Sequence, residues 1–117
     1  MIRVEVPIRT VSEMNARGHW APRAARAKQH RQLTHWTLLT NSRPTLPCTV
    51  TLTRIAPRGL DGDNLQASFK ATRDGVADWL DVDDRDPRVV WRYAQRRGEC
   101  KQYAVEICIE LTGRSAE

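Results

Sequence analysis

The 117-residue chain lacks the features that mark membrane and secreted proteins. No apolar run approaches the roughly 20 residues of a membrane-spanning helix. Residues 1–5 show no signal-peptide pattern, so we expect no membrane partner. The cysteines Cys48, Cys100 and Cys108 are odd in number and form no Cys-x-x-Cys pair. We therefore expect a reduced, cytosolic setting, with Cys48 and Cys108 as small apolar residues in strands.

Motifs for several kinds of chemistry are also absent. The three histidines have no zinc-like spacing with the cysteines. The sequence holds neither a glycine-rich phosphate loop nor a nucleophile elbow. A calcium loop starting at Asp61 does not fit, because Gln66 stands where that loop needs Gly and Thr72 where it needs Glu. Zinc, P-loop, serine-hydrolase and EF-hand interpretations are therefore set aside.

Charge is abundant but unevenly distributed along the chain. The net charge is +5 and Arg outnumbers Lys sixteen to three, yet all eight aspartates lie between residues 61 and 86. Arginine-rich surfaces bind phosphates, which predicts a polyanionic partner such as DNA. An acidic cluster would repel that partner unless the carboxylates hold a divalent cation, which inverts the local charge.

Apolar periodicity predicts one domain over residues 1–117, of the α+β class, with a mixed β-sheet flanked by helices in the order β-α-β-α-β-β. The predicted strands are 3–9, 48–55, 88–95 and 102–111, in a largely sequential sheet. A hairpin at 97–99 is expected to join the last two strands. The predicted helices are 21–40 and 63–79, and residues 113–117 form a frayed tail.

Both predicted helices are amphipathic. On the first helix, the predicted inner side consists of mostly apolar residues at helical spacing: Ala25, Gln29, Leu33, Trp36 and Leu39. Its outer face is basic and carries Arg23, Arg26, Lys28, His30, Arg31 and His35. The second helix has an apolar stripe of Leu65, Phe69, Thr72, Val76 and Trp79 or Leu80. A basic helix face suits the phosphates of DNA, and it is equally the composition of an ordinary solvated face.

Two acidic motifs flank the second helix. Asp61 and Asp63 are two residues apart around Gly62, which favours projection to one side of an extended segment. Asp83 and Asp84 follow the far end, about 24 Å away along the helix axis, so the four meet only if the next strand runs back toward the first pair. Mg²⁺ needs only one or two carboxylates with water and phosphate oxygens, which predicts a Mg²⁺ site for phosphodiester hydrolysis.

Each of these motifs has a structural alternative, and the alternatives remain open at this point. The segment 61–64 is also typical of a capping turn before a helix. Asp83 and Asp84 suit a solvated loop. Lys70 falls on the helix face that Asp63 begins and is within reach of the same site, but Lys70 and Asp74 also form a standard i,i+4 surface pair.

The segment 61–84, D-G-D-N-L-Q-A-S-F-K-A-T-R-D-G-V-A-D-W-L-D-V-D-D, followed by R-V-V-W, resembles the RusA family of Holliday junction resolvases of phages and prophages. The likeness covers residues 55–111 well and the N-terminal part loosely. It implies a homodimer in the bacterial host cytosol, which nicks two opposed strands of a four-way DNA junction with Mg²⁺ or Mn²⁺.

The resemblance implies roles for individual residues. Asp61, Asp63 and Asp84 match the metal-binding aspartates, with Asp83 beside them. Lys70 matches the essential lysine if three residues are inserted before it. Leu60 departs from an Arg of one well-known member, for which Arg58 is the nearest substitute. The residues expected to grip DNA are Arg23, Arg26, Lys28, His30, Arg31 and Arg58.

Two other functions remain open from the sequence. One is a non-catalytic DNA-binding accessory module that keeps the fold without cleavage, which the Leu60 departure and the shifted lysine favour. The other is a nuclease that acts on flaps or other branched DNA.

Overall fold

A computed structural model describes residues 1–10 and 20–112, with side chains from residue 24 onward in the second range. The elements are β1 (Ile2–Val6), α1 (Trp20–Leu38), β2 (Cys48–Ala56), α2 (Gly62–Ser68), α3 (Lys70–Leu80), β3 (Val89–Arg97) and β4 (Ala104–Leu111). The predicted α+β class with a mixed sheet is confirmed. The predicted frayed tail, 113–117, and the side chain of Arg23 lie outside the described residues.

The four strands form one sheet in the order β1-β4-β2-β3. The β2 and β3 strands are parallel, whereas β4 runs antiparallel to both β1 and β2. The helices α2 and α3 form the connection between the two parallel strands, as parallel pairing requires. Parallel pairing also brings the carboxyl ends of β2 and β3, Ala56 and Arg97, to the same end of the sheet.

The predicted hairpin at 97–99 and the largely sequential strand order are wrong, because β3 and β4 do not pair and β2 lies between them. The physical reason is burial. The β4 strand buries Val105, Ile107 and Ile109 and also Ala104 and Cys108, which alternation places on its opposite face. A strand that is apolar on both faces belongs inside a sheet. The connection crosses the end of β2, where Gly98 N–H donates to the Ala56 carbonyl at 2.9 Å.

The core lies between the sheet and α3. The alternate β2 residues Val50 and Leu52 are fully buried beside the β4 residues Ile107 and Ile109. Against them pack Leu65, Phe69, Val76, Trp79 and Leu80 of the α2–α3 segment. The predicted apolar stripe of the second helix is confirmed, and the predicted placement of Cys48 and Cys108 as buried strand residues is confirmed as well.

The inner face of α1 differs from the prediction. Trp36 and Leu39 are 60% and 57% exposed, whereas Thr34 and Leu38 are fully buried. The reason is the close approach of α3, since a Cβ on Gly75 would lie 2.6 Å from the Arg31 carbonyl oxygen and 2.8 Å from Thr34 Cβ. Only a short side chain fits at that crossing, so α1 turns its threonine inward rather than its tryptophan.

The second predicted helix is broken at Phe69, which separates α2 from α3. Phe69 has φ −93° and ψ 0°, and its N–H bonds to the Gln66 carbonyl, three residues back. Its ring is fully buried and stacks on Tyr93 of β3 at a centroid distance of 5.7 Å.

We predict that Gly75→Ala destabilises the fold by about 1–3 kcal/mol, because the added methyl group meets the α1 backbone. Gly62→Ala is the matched control, since a Cβ there meets nothing within 4 Å. Its effect should stay within about 0.5 kcal/mol. Urea denaturation of both variants measures the difference, and equal midpoints would contradict the tight α1–α3 crossing.

Candidate functional site

The two aspartates of the first acidic motif sit at the start of α2. Asp61 occupies the N-cap position in extended backbone geometry, with φ −63° and ψ 157°, and its side chain makes no capping hydrogen bond. Asp63 lies in the first turn, and both residues are exposed. The carboxylate of Asp61 is therefore not used for capping, which was the structural alternative for this segment. Gly62 adopts ordinary helical geometry with open space around it.

The loop that delivers Asp61 is fixed at two points. The Gln95 side-chain amide accepts from Leu60 N–H and donates to Leu60 C=O, both at 2.9 Å. The buried Arg54 guanidinium donates to the Arg58 carbonyl and, at 2.8 Å, to the Thr10 hydroxyl. Gln95 thus binds both backbone polar groups of Leu60, the residue directly before Asp61. These two hydrogen bonds fix the position of the loop that carries Asp61.

The partners of the eight aspartates divide them into two groups. Six have an ion pair or a hydrogen bond: Asp74 and Asp78 with Arg31, Asp81 with Arg43, Asp83 with the Arg85 N–H, Asp84 with Arg73, and Asp86 with Arg88. Within residues 1–10 and 20–112, the carboxylates of Asp61 and Asp63 have no such partner. On a basic protein, two adjacent unneutralised carboxylates identify the N-terminus of α2 as the candidate site.

Asp84 is anchored to β3 and α3 through its backbone. Its backbone carbonyl accepts from Arg73 Nη2 at 2.8 Å and from Trp91 Nε1 at 3.1 Å. Its carboxylate lies 3.7 Å from Arg73 Nε. The neighbouring Asp83 carboxylate accepts from the Arg85 N–H, which lowers the pKa of Asp83, and the side chain of Asp84 acts in the same direction.

The structure places both acidic motifs along β3 but does not join them into one ligand shell. The loop of Asp61 is anchored at Gln95 and that of Asp84 at Trp91, four residues or about 13 Å apart along the strand. Among the residues described, no group of three or more His, Cys, Asp or Glu side chains is arranged to hold a metal ion. Asp61 and Asp63 alone still fit Mg²⁺, which needs one or two carboxylates.

Lys70 lies with the basic residues of α1 in one groove. This groove has a volume of about 470 Å³, and its polar lining includes Arg26, Lys28, His30, Arg31, Lys70 and Asp74. The Lys70 side chain is 80% exposed, and its Nζ lies 3.7 Å from Asp74 Oδ2. The predicted surface pair of Lys70 and Asp74 is thus present, and Lys70 also shares a surface with four of the six residues expected to grip DNA.

Two members of that expected set, Arg31 within the groove and Arg58 outside it, need separate description. Arg31 donates through Nε and Nη2 to the Asp78 carboxylate at 2.6 and 2.8 Å, so this guanidinium ties α1 to α3. Arg58 is exposed on the loop after β2, at the carboxyl end of the sheet. The predicted basic surface is therefore divided between the α1 groove and the end of β2.

Sequence reasoning missed Gln95 and Arg73, which are among the side chains that fix the acidic loops. Arg73 carries a signal, because helical spacing from Phe69 and Val76 places a cation beside the apolar stripe, where it needs partners. The structure supplies Tyr93 Oη, the Asp84 carbonyl and the Trp91 ring, which lies 4.8 Å from Cζ. The sequence holds no such signal for Gln95, because its role depends on contact with a loop 35 residues away.

No family model and no curated protein matches this chain. In the part of the chain that the structure describes, no helix has both the length and the apolar character needed to cross a membrane.

We predict that Asp78→Asn lowers the free energy of unfolding by about 0.5–1 kcal/mol at pH 7, a modest value because the ion pair with Arg31 is partly exposed. The Arg31 hydrogen bond lowers the pKa of Asp78, so its contribution is present above the ordinary carboxyl pKa. It is lost as the pH falls through the lowered value.

The measurement is urea denaturation of both proteins at pH 7 and near pH 3, with Asp81→Asn as the control. Asp81 is the appropriate comparison because its only described ion-pair contact, to Arg43, is at 4.0 Å. A difference between wild type and Asp78→Asn that persists unchanged at the lower pH would show that the ion pair is not its source.

Proposed function

We propose that this chain is a Mg²⁺-dependent endonuclease of the RusA type that resolves four-way DNA junctions by paired nicks. The observation that supports it most is the pair Asp61 and Asp63, which alone among the eight aspartates lack a partner in the described ranges. Such carboxylates disfavour DNA unless a cation lies between them and the phosphate.

The donor set suits a hard divalent cation. Asp61 and Asp63 offer only carboxylate oxygens, exposed to solvent, which leaves the remaining positions for water and phosphate oxygens, as Mg²⁺ prefers. Mn²⁺ accepts the same ligands. When bound, such an ion supplies a more acidic water and neutralises charge on the phosphate.

In the proposed reaction, water adds to phosphorus, one bridging P–O bond breaks, and the released oxygen leaves as an alcohol. Asp61 and Asp63 hold the cation. Asp84, with Asp83 beside it, completes the site when DNA is bound. Lys70, which is exposed at the start of α3, stabilises the negative charge of the phosphate.

The α1 groove is proposed to hold the DNA backbone through Arg26, Lys28 and His30, with Arg23 and Arg58 beyond it. Arg31 contributes its charge while it remains bound to Asp78. Contacts of this kind carry no base information, so they favour recognition by shape. A homodimer would match the two-fold symmetry of a junction and couple its two nicks. The proposed setting is the cytosol of a bacterial host.

A non-catalytic DNA-binding accessory module is the second candidate, and one observation favours it. The carboxylate of Asp84 faces the Arg73 guanidinium at 3.7 Å. This contact lies beside Trp91, whereas the loop of Asp61 is bound by Gln95, four residues further along β3. A chain that keeps this arrangement on DNA would bind junctions without cutting them. A nuclease for flaps or other branched DNA is the third candidate, which the same residues would serve.

We predict paired, symmetric nicks on a labelled four-way junction with Mg²⁺, and none with EDTA. Asp61→Asn and Asp63→Asn should each lower the cleavage rate by at least about 100-fold while junction binding in EDTA is kept or improved, since each removes a cation ligand and a repulsive charge. Strand cleavage on gels and gel-shift affinities measure the two effects.

Asp81→Asn is the matched control. It removes the same charge from an exposed aspartate in the left-handed conformation, with φ 59°, which Asn tolerates well. It should cleave like wild type. If neither Mg²⁺ nor Mn²⁺ supports cleavage of junction, flap or duplex DNA, the proposed nuclease activity is wrong. Equal rates on flap and junction would leave a nuclease for branched DNA in general.

A further inference from the structure

A second basic pocket lies at the carboxyl ends of β2 and β3, apart from the α1 groove. It has a volume of about 280 Å³ and is formed by residues 56–59 of the loop after β2 and residues 95–97 of β3. Three of its seven lining residues are arginines, Arg58, Arg96 and Arg97, and none is acidic. Parallel pairing of β2 and β3 creates this pocket, since it brings Ala56 and Arg97 side by side.

Two of the three pocket arginines have no carboxylate partner in the described part of the protein. Arg58 and Arg97 have no carboxylate within 4 Å among residues 1–10 and 20–112, whereas Arg96 pairs with Glu106 at 3.8 Å. Below them, Arg54 is 7% exposed and donates to two neutral acceptors, the Thr10 hydroxyl and the Arg58 carbonyl. Burial lowers the pKa of Arg54, but arginine keeps its proton in proteins, so its charge adds to the pocket.

The pocket is mechanically connected to the candidate site. Gln95 lines it and holds both backbone polar groups of Leu60, the residue before Asp61. The Arg58 carbonyl, which Arg54 holds, is three residues before Asp61. One short, doubly anchored loop therefore carries the arginine of the pocket and the first aspartate of the candidate site.

We propose that Arg58 and Arg97, in the pocket that Arg96 also lines, form a phosphate-binding site for the DNA strand that runs past Asp61, receiving one backbone phosphate close to the one presented to Asp61 and Asp63. Forked guanidinium groups on a concave basic surface suit phosphate oxygens. The proposal rests on the proposed function only in naming DNA as the source of the phosphate. It places the strand across the end of the sheet, in addition to the α1 groove.

The test compares two double variants with the same loss of charge. Arg58→Ala/Arg97→Ala removes the two pocket arginines without a described carboxylate partner. Arg43→Ala/Arg88→Ala is the control, because the two residues precede the amino ends of β2 and β3, whereas the pocket lies at the carboxyl ends of the same strands. Affinity for a labelled four-way junction is measured in EDTA over a salt series, and thermal unfolding verifies that both variants are folded.

We expect the slope of log affinity against log salt to become shallower by about 1 in the pocket variant, since the loss of one phosphate contact removes about 0.9. The control should keep the wild-type slope. Equal slopes in all three proteins would overturn the site. Replacing both pocket arginines by lysine should keep the slope, because the charge at the phosphate is retained.

A scan of single methylphosphonate linkages distinguishes a DNA phosphate from a free anion. A methylphosphonate at one linkage should lower the junction affinity of wild type but not that of the pocket variant. The uncharged linkage and the arginine substitutions remove the same contact, so their effects do not add. If no linkage behaves in this way, or if inorganic phosphate binds wild type and not the variant while the salt slopes agree, the assignment to DNA is overturned. All of these binding measurements are made in EDTA, where no cleavage occurs. If wild type binds junctions but never cuts them in Mg²⁺, the proposed nuclease activity is wrong, and the evidence for the phosphate-binding site is unaffected.

Discussion

The arrangement of this domain depends on the burial of β4 on both faces. Ala104, Val105, Ile107, Cys108 and Ile109 are all withdrawn from solvent, which only an interior strand allows. The interior position of β4 separates it from β3 and leaves β3 on the outer side of β2, parallel to it. The carboxyl ends of β2 and β3 then meet, which brings the loop of Asp61 beside Gln95 and the arginines that end β3.

The geometry of the candidate site is determined by β3, the edge strand of the sheet. Side chains of β3 fix both acidic loops, Gln95 at Leu60 and Trp91 at Asp84, while Tyr93 between them supports Phe69 and Arg73. The position of the carboxylates therefore depends on the backbone of one strand rather than on contacts among the carboxylates themselves. The distance between the two loops is fixed by that strand, so closure around a ligand would need movement in the 81–88 segment.

Features that depend on local periodicity were predictable from the sequence, and features that depend on distant partners were not. Strict alternation identified β2, and the 3.6-residue period identified the stripe from Leu65 to Trp79. The hairpin was wrong because turn residues at 97–99 do not reveal that β4 is required elsewhere in the sheet. The inner face of α1 was wrong because its choice of Thr34 over Trp36 is imposed by Gly75, far along the chain.

The same strand also limits how two copies of the chain can meet. Exposed edge strands invite pairing with another chain, and charged side chains oppose it. An edge-to-edge pair would bring together two β3 strands that each carry Arg92, Arg96 and Arg97 and no acidic residue, and like charges on paired strands repel. A two-fold assembly through a continuous sheet is therefore disfavoured at the β3 edge.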